Sequence, residues 1–366
     1  MENGYEVNAK ARDALGTITR RSGHPMILAG DIGGTKTLLG LFESDSARPM
    51  PVLVQRYRTT DFPDLTAMVT RLAAHPSQPR LAVSAACFGV AGPIFGDRAR
   101  LTNVACDVDA RAVAQAFSIP RVALLNDLQA LASAIPVLEA RELHALQAGV
   151  PRRGGTLAVV AAGTGFGQAV LRARDPSDGS SVGSARGRHD RYVPLPSEGG
   201  HADFAARTDR DITVLRDLTA RYGRAEVEHV VSGPGLVNLH RVMHRGPCRA
   251  AGAHAHAKPE VDAATITAAA QARRCQGCID TLTVFVEAYG AEAGNVAVRT
   301  LSTGGLFIGG GIAPQILPSL SDGRFLRALV DKGPMREWLV RMPVHVILNH
   351  EAALLGAAVY AAGLEG

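Results

Sequence analysis

A carboxylate, two glycines, a hydroxyl and a cation stand in one short stretch, Gly30-Asp31-Ile32-Gly33-Gly34-Thr35-Lys36, with apolar runs on both sides. Paired glycines allow backbone N–H groups to approach a ligand closely, and such a turn suits an anion. Asp31 falls where a strand should end, a position from which it could hold a hydrated Mg²⁺, and Thr35 and Lys36 can donate to phosphate oxygens. The stretch is not a Walker A loop, because Thr35 rather than Gly precedes Lys36. Nor is it a dinucleotide fingerprint, since the residues after the glycines are short, apolar and uncapped and so predict a strand instead of a helix. The unit reads as a β-hairpin with a phosphate-facing turn, a feature that on its own is also ordinary hairpin structure.

A second run has the same plan. Residues 156–162 predict a strand, Gly163-Thr164-Gly165 a turn, and residues 166–171 a returning strand. Further polar residues fall where predicted elements end. Asn126-Asp127 closes a strand over residues 121–125 and opens a helix that Pro136 stops. Glu198-Gly199-Gly200-His201 forms a glycine-flanked turn, and Glu228 precedes Ser232-Gly233-Pro234-Gly235 on what reads as a polar helical stretch. Gly309-Gly310-Gly311 ends a short strand over residues 305–308. Taken singly, Asp127 reads as a helix N-cap, Glu198 as a loop carboxylate and Glu228 as a solvated helix face.

The elements that must position these groups follow from periodicity. A third strand is expected over 52–57 and a helix after Asp64, with Leu65, Met68, Val69 and Leu72 at helical spacing. A continuous apolar run predicts a buried strand over 81–88, and a helix is expected over 109–117. Helices cover 212–222 and 263–301, and a last strand over 344–348 leads into a closing helix over 351–362. Residues 175–188 and 246–259, the latter with His254 and His256, read as exposed loops.

With 366 residues, 46% apolar and 20% charged, the chain has the composition of a globular protein large enough for two lobes. Its net charge of +5 does not point to nucleic acid, because the arginines are scattered among carboxylates and the lysines are only Lys10, Lys36, Lys258 and Lys332. No apolar run is long enough for a membrane helix, and residues 1–25 lack the apolar centre of a secretory signal; they read as a flexible extension. Five cysteines, Cys87, Cys106, Cys248, Cys275 and Cys278, are too few and too irregular for a disulfide framework and fit a reducing cytosol. Cys275-Gln276-Gly277-Cys278 has zinc-like spacing, but no second pair lies in that region, so plain thiols are expected.

In order and separation these pieces resemble the bacterial-type glucokinases, of the hexokinase branch of the actin-like ATPase superfamily. The resemblance runs from about residue 26 to the C-terminus and rests on residues 30–35, 125–127, 163–165, 198–201, 228 with 232–236, and 304–312. It implies an α/β, two-lobed, ribonuclease H-like fold with a cleft between a small domain (26–136 with 347–366) and a large one (137–346). It also implies ATP with Mg²⁺, glucose as substrate, a cytoplasmic homodimer and no nucleic-acid or membrane partner. By the same resemblance Gly30, Asp31, Gly33, Gly34, Thr35, Gly163, Thr164 and Gly165 handle phosphates and metal, and Gly309 and Gly310 approach adenosine. Asn126, Glu198, His201 and Glu228 bind sugar hydroxyls, and Asp127 is the general base. The residue types suit that chemistry, since carboxylates accept from neighbouring hydroxyls while an amide both donates and accepts.

Two departures stand out. Relatives place Trp three residues after a Thr-Asn step, whereas after Thr102-Asn103 this chain has Cys106, so the loop beside the sugar is expected to pack differently. The zinc signature of the repressor–kinase relatives, a cysteine cluster after Gly-His, is missing beyond His201. Two other readings remain at this point: a kinase for another hexose or an amino sugar, and a non-catalytic sugar sensor, for which residues 1–25 are too short to form a DNA-binding module.

Overall fold

The computed structural model describes residues 26–75, 83–101, 104, 106–174, 192–244, 248 and 261–365. The expectations for residues 1–25, for Thr102 and Asn103, for the 175–188 loop and for His254 and His256 lie outside them.

The first half runs β1 (Met26–Ile32), β2 (Lys36–Glu43), β3 (Met50–Arg58), α1 (Leu65–Ala73) and β4 (Val83–Val90). It continues through β5 (Ile94–Phe95), β6 (Arg98–Arg100), β7 (Asp107–Asp109), α2 (Ala110–Phe117), β8 (Val122–Asn126) and α3 (Asp127–Ala134). The second half begins with β9 (Leu143–Gln147), β10 (Leu157–Ala162), β11 (Phe166–Ala173) and β12 (Tyr192–Ser197). Helices α4 (Asp209–Tyr222), α5 (Gly233–Met243), α6 (Ala263–Gln271) and α7 (Gln276–Thr300) lead to β13 (Gly305–Gly309). The short helices α8 (Ile312–Gln315), α9 (Leu317–Ser321), α10 (Arg324–Val330) and α11 (Arg336–Leu339) precede β14 (Val344–Ile347) and α12 (Ala352–Gly363).

The two large sheets repeat one plan. In the first, ordered β3-β2-β1-β4-β8, the antiparallel meander β1–β2–β3 is extended by parallel β4 and β8. In the second, ordered β12-β11-β10-β13-β14-β9, the meander β10–β11–β12 is extended by parallel β13 and β14, with β9 added antiparallel at the edge. The architectural repeat expected from the two glycine hairpins therefore extends to five strands. Both opening strands are buried along almost their whole length, which is why they read as apolar runs without alternation.

Differences from expectation are local. The small sheet β5-β6-β7 and the strands β9 and β12 were not foreseen, because they are short or lie at sheet edges and carry no continuous apolar run. The helical segments expected over 263–301 are present as α6 and α7, separated at residues 272–275, where Arg273 takes a positive φ. Helix α1 is as expected: Asp64 caps it by accepting from Ala67 N–H (2.7 Å), and Leu65, Met68, Val69 and Leu72 are buried.

Two helices join the sheets. α12 is apolar on every side and accordingly buried, packing on α3, β1 and β4. α3 in turn touches β8 and β4 of the first sheet and β10, β11 and β12 of the second. A bidentate ion pair adds a peripheral tie: Arg48, after β2, donates to Glu142 from both terminal nitrogens (2.6 and 2.8 Å) and to Val137 O (2.9 Å).

Candidate active site

Parallel pairing brings the first sheet's chemistry to one edge. Asp31 on β1 lies opposite Gly89 on β4, and Gly89 opposite Leu125 on β8, so Asp31 and the Asn126-Asp127 step share the carboxyl ends of the two parallel strands that flank β4. Asn126 is both the last residue of β8 and the N-cap of α3. Its side-chain oxygen accepts from Leu128 N–H (2.9 Å) while Gln129 accepts from the Asn126 N–H (3.1 Å). That capping box fixes the strand-to-helix corner and leaves the Asn126 amide N–H₂ to donate elsewhere. Asp127, the first helical residue, accepts from Leu128 N–H through Oδ1 (2.9 Å).

Burial pushes the Asp127 carboxyl up to about 6, with the charges of Asp31 and Glu198 adding to the rise and the Leu128 N–H opposing it. Burial likewise raises Asp31, and Lys36 opposes that shift. The charges of Asp31 on β1 and of Glu198 in the turn after β12 thus both bear on Asp127 of α3. Negative charge gathered around one carboxylate is the kind of field that a divalent cation relieves, and the oxygen donors suit Mg²⁺.

The first glycine turn spans Gly33 to Thr35 and is held from behind. Gly33 N–H donates to Lys36 O (3.0 Å), and Thr59 N–H donates to Thr35 O (3.1 Å). The fully buried Thr59 hydroxyl donates to Gly33 O (2.7 Å) and lies 3.0 Å from Thr37 Oγ1. Sequence reading missed Thr59, because a clamp from a residue two strands further along leaves no local pattern. Thr59→Val keeps the shape but strands the buried Thr37 hydroxyl, and it is expected to cost about 1–3 kcal/mol of stability. Urea unfolding checks this, and an unchanged midpoint with unchanged slope would dismiss the clamp.

The second turn is held by different means. Gly163 N–H donates to Gly165 O (2.8 Å), and Gly233 N–H, the first of α5, donates to Gly163 O (2.8 Å). Glu228 accepts from Phe166 N–H (2.8 Å), and its carboxylate lies against Gly165. Contrary to expectation, Glu228 sits in a turn rather than on a helix. Ser232 caps α5 by accepting from Gly235 N–H (2.9 Å), so the helix begins only at Gly233. Below this turn the buried Tyr289 of α7 accepts from Ala162 N–H (3.2 Å) and reaches Val160 O (3.3 Å), tying the helix to the end of β10. Gly309 and Gly310 follow on the adjacent strand. Gly310 has φ +83°, and a Cβ there would stand 2.3 Å from Ala162 O, so a left-handed residue without a side chain is required. At Gly163 and Gly311, by contrast, a side chain would meet open space.

Glu198 precedes the single turn Gly199–His201, and Glu228 N–H donates to Gly200 O (3.0 Å), which brings the two carboxylate-bearing turns side by side. His201 is exposed, as is Glu198, and its Nδ1 pairs with Glu226 (2.9 Å), a partner not picked out from the sequence. The bond to Glu226 raises His201, with Glu228 and Glu198 adding to the shift, and in return the imidazole holds Glu226 below the usual carboxylate range. At the departure noted from relatives, Cys106 is a buried core thiol, while Val104 lies against the Gly34 turn. Among the described residues no helix is long and apolar enough to cross a membrane.

Fold and site together define a two-lobed α/β protein of the actin-like ATPase class. A crystal structure of glucokinase from an Antarctic psychrotroph superposes with a TM-score of 0.77 at 31% identity, covering 93% of this chain and 99% of that one. A ROK family glucokinase from Streptomyces griseus, solved in complex with glucose and AMPPNP, shares the fold at 19% identity and a TM-score of 0.59, covering 93% and 99% of the two chains. The glucokinase of Trichormus variabilis is 37% identical over 364 residues, 93% of this chain and 99% of that one, and the Glucokinase family model matches residues 28–364. The chain belongs to the glucokinase family, and it is a hexose kinase.

Proposed function

We propose that the chain transfers the terminal phosphoryl group of ATP to the 6-hydroxyl of glucose, with Asp127 as general base. The supporting observation is that Asp31, at the end of β1, and Glu198, after β12, both act electrostatically on Asp127, beside two glycine turns that end the opening strands of the two sheets. Phosphoryl transfer needs positioning and charge neutralisation more than covalent help. Asp127 accepts the proton of the attacking hydroxyl; the Asn126 amide donates to a sugar oxygen, and Glu198, Glu228 and His201 bind the remaining hydroxyls. The turns Gly30–Thr35 and Gly163–Gly165 take the phosphates, and Gly309 and Gly310 lie along the adenosine. Asp31 would hold Mg²⁺ through water, and the ion when bound offsets charge on the phosphate oxygens. The lobes are residues 26–136 with 347–366, and 137–346; their closure excludes competing water. The enzyme works as a homodimer in the cytoplasm.

Once the lobes close over the sugar, a hydroxyl missing or inverted leaves one of these acceptors unpaired, at about 1–3 kcal/mol each. With Mg-ATP, glucose is therefore expected to exceed its epimers and deoxy analogues by roughly tenfold or more in kcat/KM. A panel of hexoses and amino sugars in a coupled ADP assay checks this. A different sugar at the head of the panel would keep the cleft chemistry and overturn the glucose assignment.

A further inference from the structure

Cys275 and Cys278 bracket the start of α7, while His240 and His244 lie one turn apart at the end of α5. The two helices pack together, and Cys248, four residues beyond His244, returns to the same spot. His244 Nε2 lies 3.2 Å from Cys275 Sγ, and Cys248 Sγ lies 4.0 Å from Cys275 Sγ and 3.8 Å from Cys278 Sγ. The ligand atoms of His244, Cys248 and Cys275 are all within 4.8 Å of one another, as are those of His240, Cys248 and Cys278. All three thiols are free, and the two separations from Cys248 are far too long for a disulfide. Those two separations match a different requirement: a tetrahedral ion with metal–sulfur bonds of about 2.3 Å sets its sulfurs about 3.8 Å apart.

Two further observations point the same way. A Cβ at Gly277 would stand 2.2 Å from His244 Cδ2, so the glycine between the cysteines is what lets the imidazole lie over the pair. The ring of His240 is 4.7 Å from that of His244, and its buried Nε2 has no hydrogen-bond partner among the described residues. The expectation of plain thiols rested on the want of further ligands near the Cys-X-X-Cys step. The fold supplies them from α5 and from the segment after it.

We infer that Cys248, Cys275, Cys278 and His244 hold a structural zinc ion, with His240 stacked behind the fourth ligand. Soft thiolates with one imidazole in a closed tetrahedron select zinc over harder divalent ions. The ion would pin the C-terminal end of α5 to the start of α7, at the opposite end of α5 from Gly233, which holds the second glycine turn. Its loss should therefore lower stability and leave the chemical step in place.

The test is metal content. Full-length chain expressed with added zinc and purified without chelator is expected to carry one zinc per chain by plasma mass spectrometry, and Cys275→Ser/Cys278→Ser less than a tenth of that. His244→Asn is expected to bind zinc at least tenfold more weakly than the unmodified chain. Because the double variant could fail to fold, the unmodified chain is also stripped and refilled with Co²⁺, which should give the intense visible bands of tetrahedral thiolate coordination. A zinc-free unmodified chain, or cobalt spectra without those bands, overturns the proposal; neither outcome touches the kinase reading, which the sugar panel tests separately.

Discussion

Asp127→Asn is expected to lose between about a hundredfold and ten-thousandfold in kcat while binding glucose nearly as well as the unmodified chain. The amide keeps the size of the carboxylate and can still meet the sugar's primary hydroxyl, but it cannot take the proton. The corner that presents it does not depend on the acid, since the capping box uses Asn126 and Gln129. The pH profile separates this account from simple misplacement. With the free carboxyl raised to about 6, kcat/KM of the unmodified enzyme should rise tenfold per unit below that value and level off above it, and the Asn variant should lack this limb. Stability supplies an independent readout with a definite sign. The folded chain binds the Asp127 proton more tightly than an unfolded chain with the ordinary value of 3.8. Ionisation therefore costs nothing below pH 3.8, and the cost builds as pH rises and is complete above about 6. Asn carries no such cost. The melting temperature of Asp127→Asn should exceed that of the unmodified chain above pH 6, and the gap should close as the pH is lowered. Undiminished kcat, or an acid limb surviving in the variant, would dismiss Asp127 as the base.

Much of this arrangement was legible because it is local. The opening hairpin, its echo at residues 156–171, and the Asn126-Asp127 corner are each written in fewer than twenty consecutive residues, as apolar strands ending in glycine or an acid. What could not be read is contact between distant residues. Thr59 clamps Gly33, Tyr289 ties the end of β10, and Glu226 pairs with His201. Thr59 and Glu226 lie on no apolar stripe that would single them out, and Tyr289 lies on the apolar face of α7 among many other core residues. Glu228 misled for a related reason: its neighbours are helix-compatible, and only the Ser232 cap decides that the helix starts later. The cysteines are the sharpest case. Cys275 and Cys278 are a local signal, but Cys248, His240 and His244 join them only because α5 packs on α7.

Gly356→Ala is the substitution expected to cost most without touching the site. Gly356 lies on α12, and a Cβ there would stand 1.7 Å from Ala130 O and 2.8 Å from Ala134 N of α3. Both atoms are helix backbone, so no side-chain rotation can make room; the helices must separate or shift. Overpacking of this kind costs about 1–3 kcal/mol even when side chains can yield, and the upper end is expected here. The consequence reaches the chemistry because α3 carries Asp127 on its first turn and rests on both sheets. A shift of about an ångström at a reacting group can cost a hundredfold in rate, so kcat should fall further than the affinity for sugar. Gly363→Ala is the matched control: it lies at the end of the same helix, a side chain there meets open space, and stability should hold or rise slightly. Thermal unfolding of the two variants, followed by the kcat and KM split for Gly356→Ala, decides the matter. If Gly356→Ala melts with the unmodified chain, α12 does not set the seat of α3, and the positioning of Asp127 must come from the capping box alone.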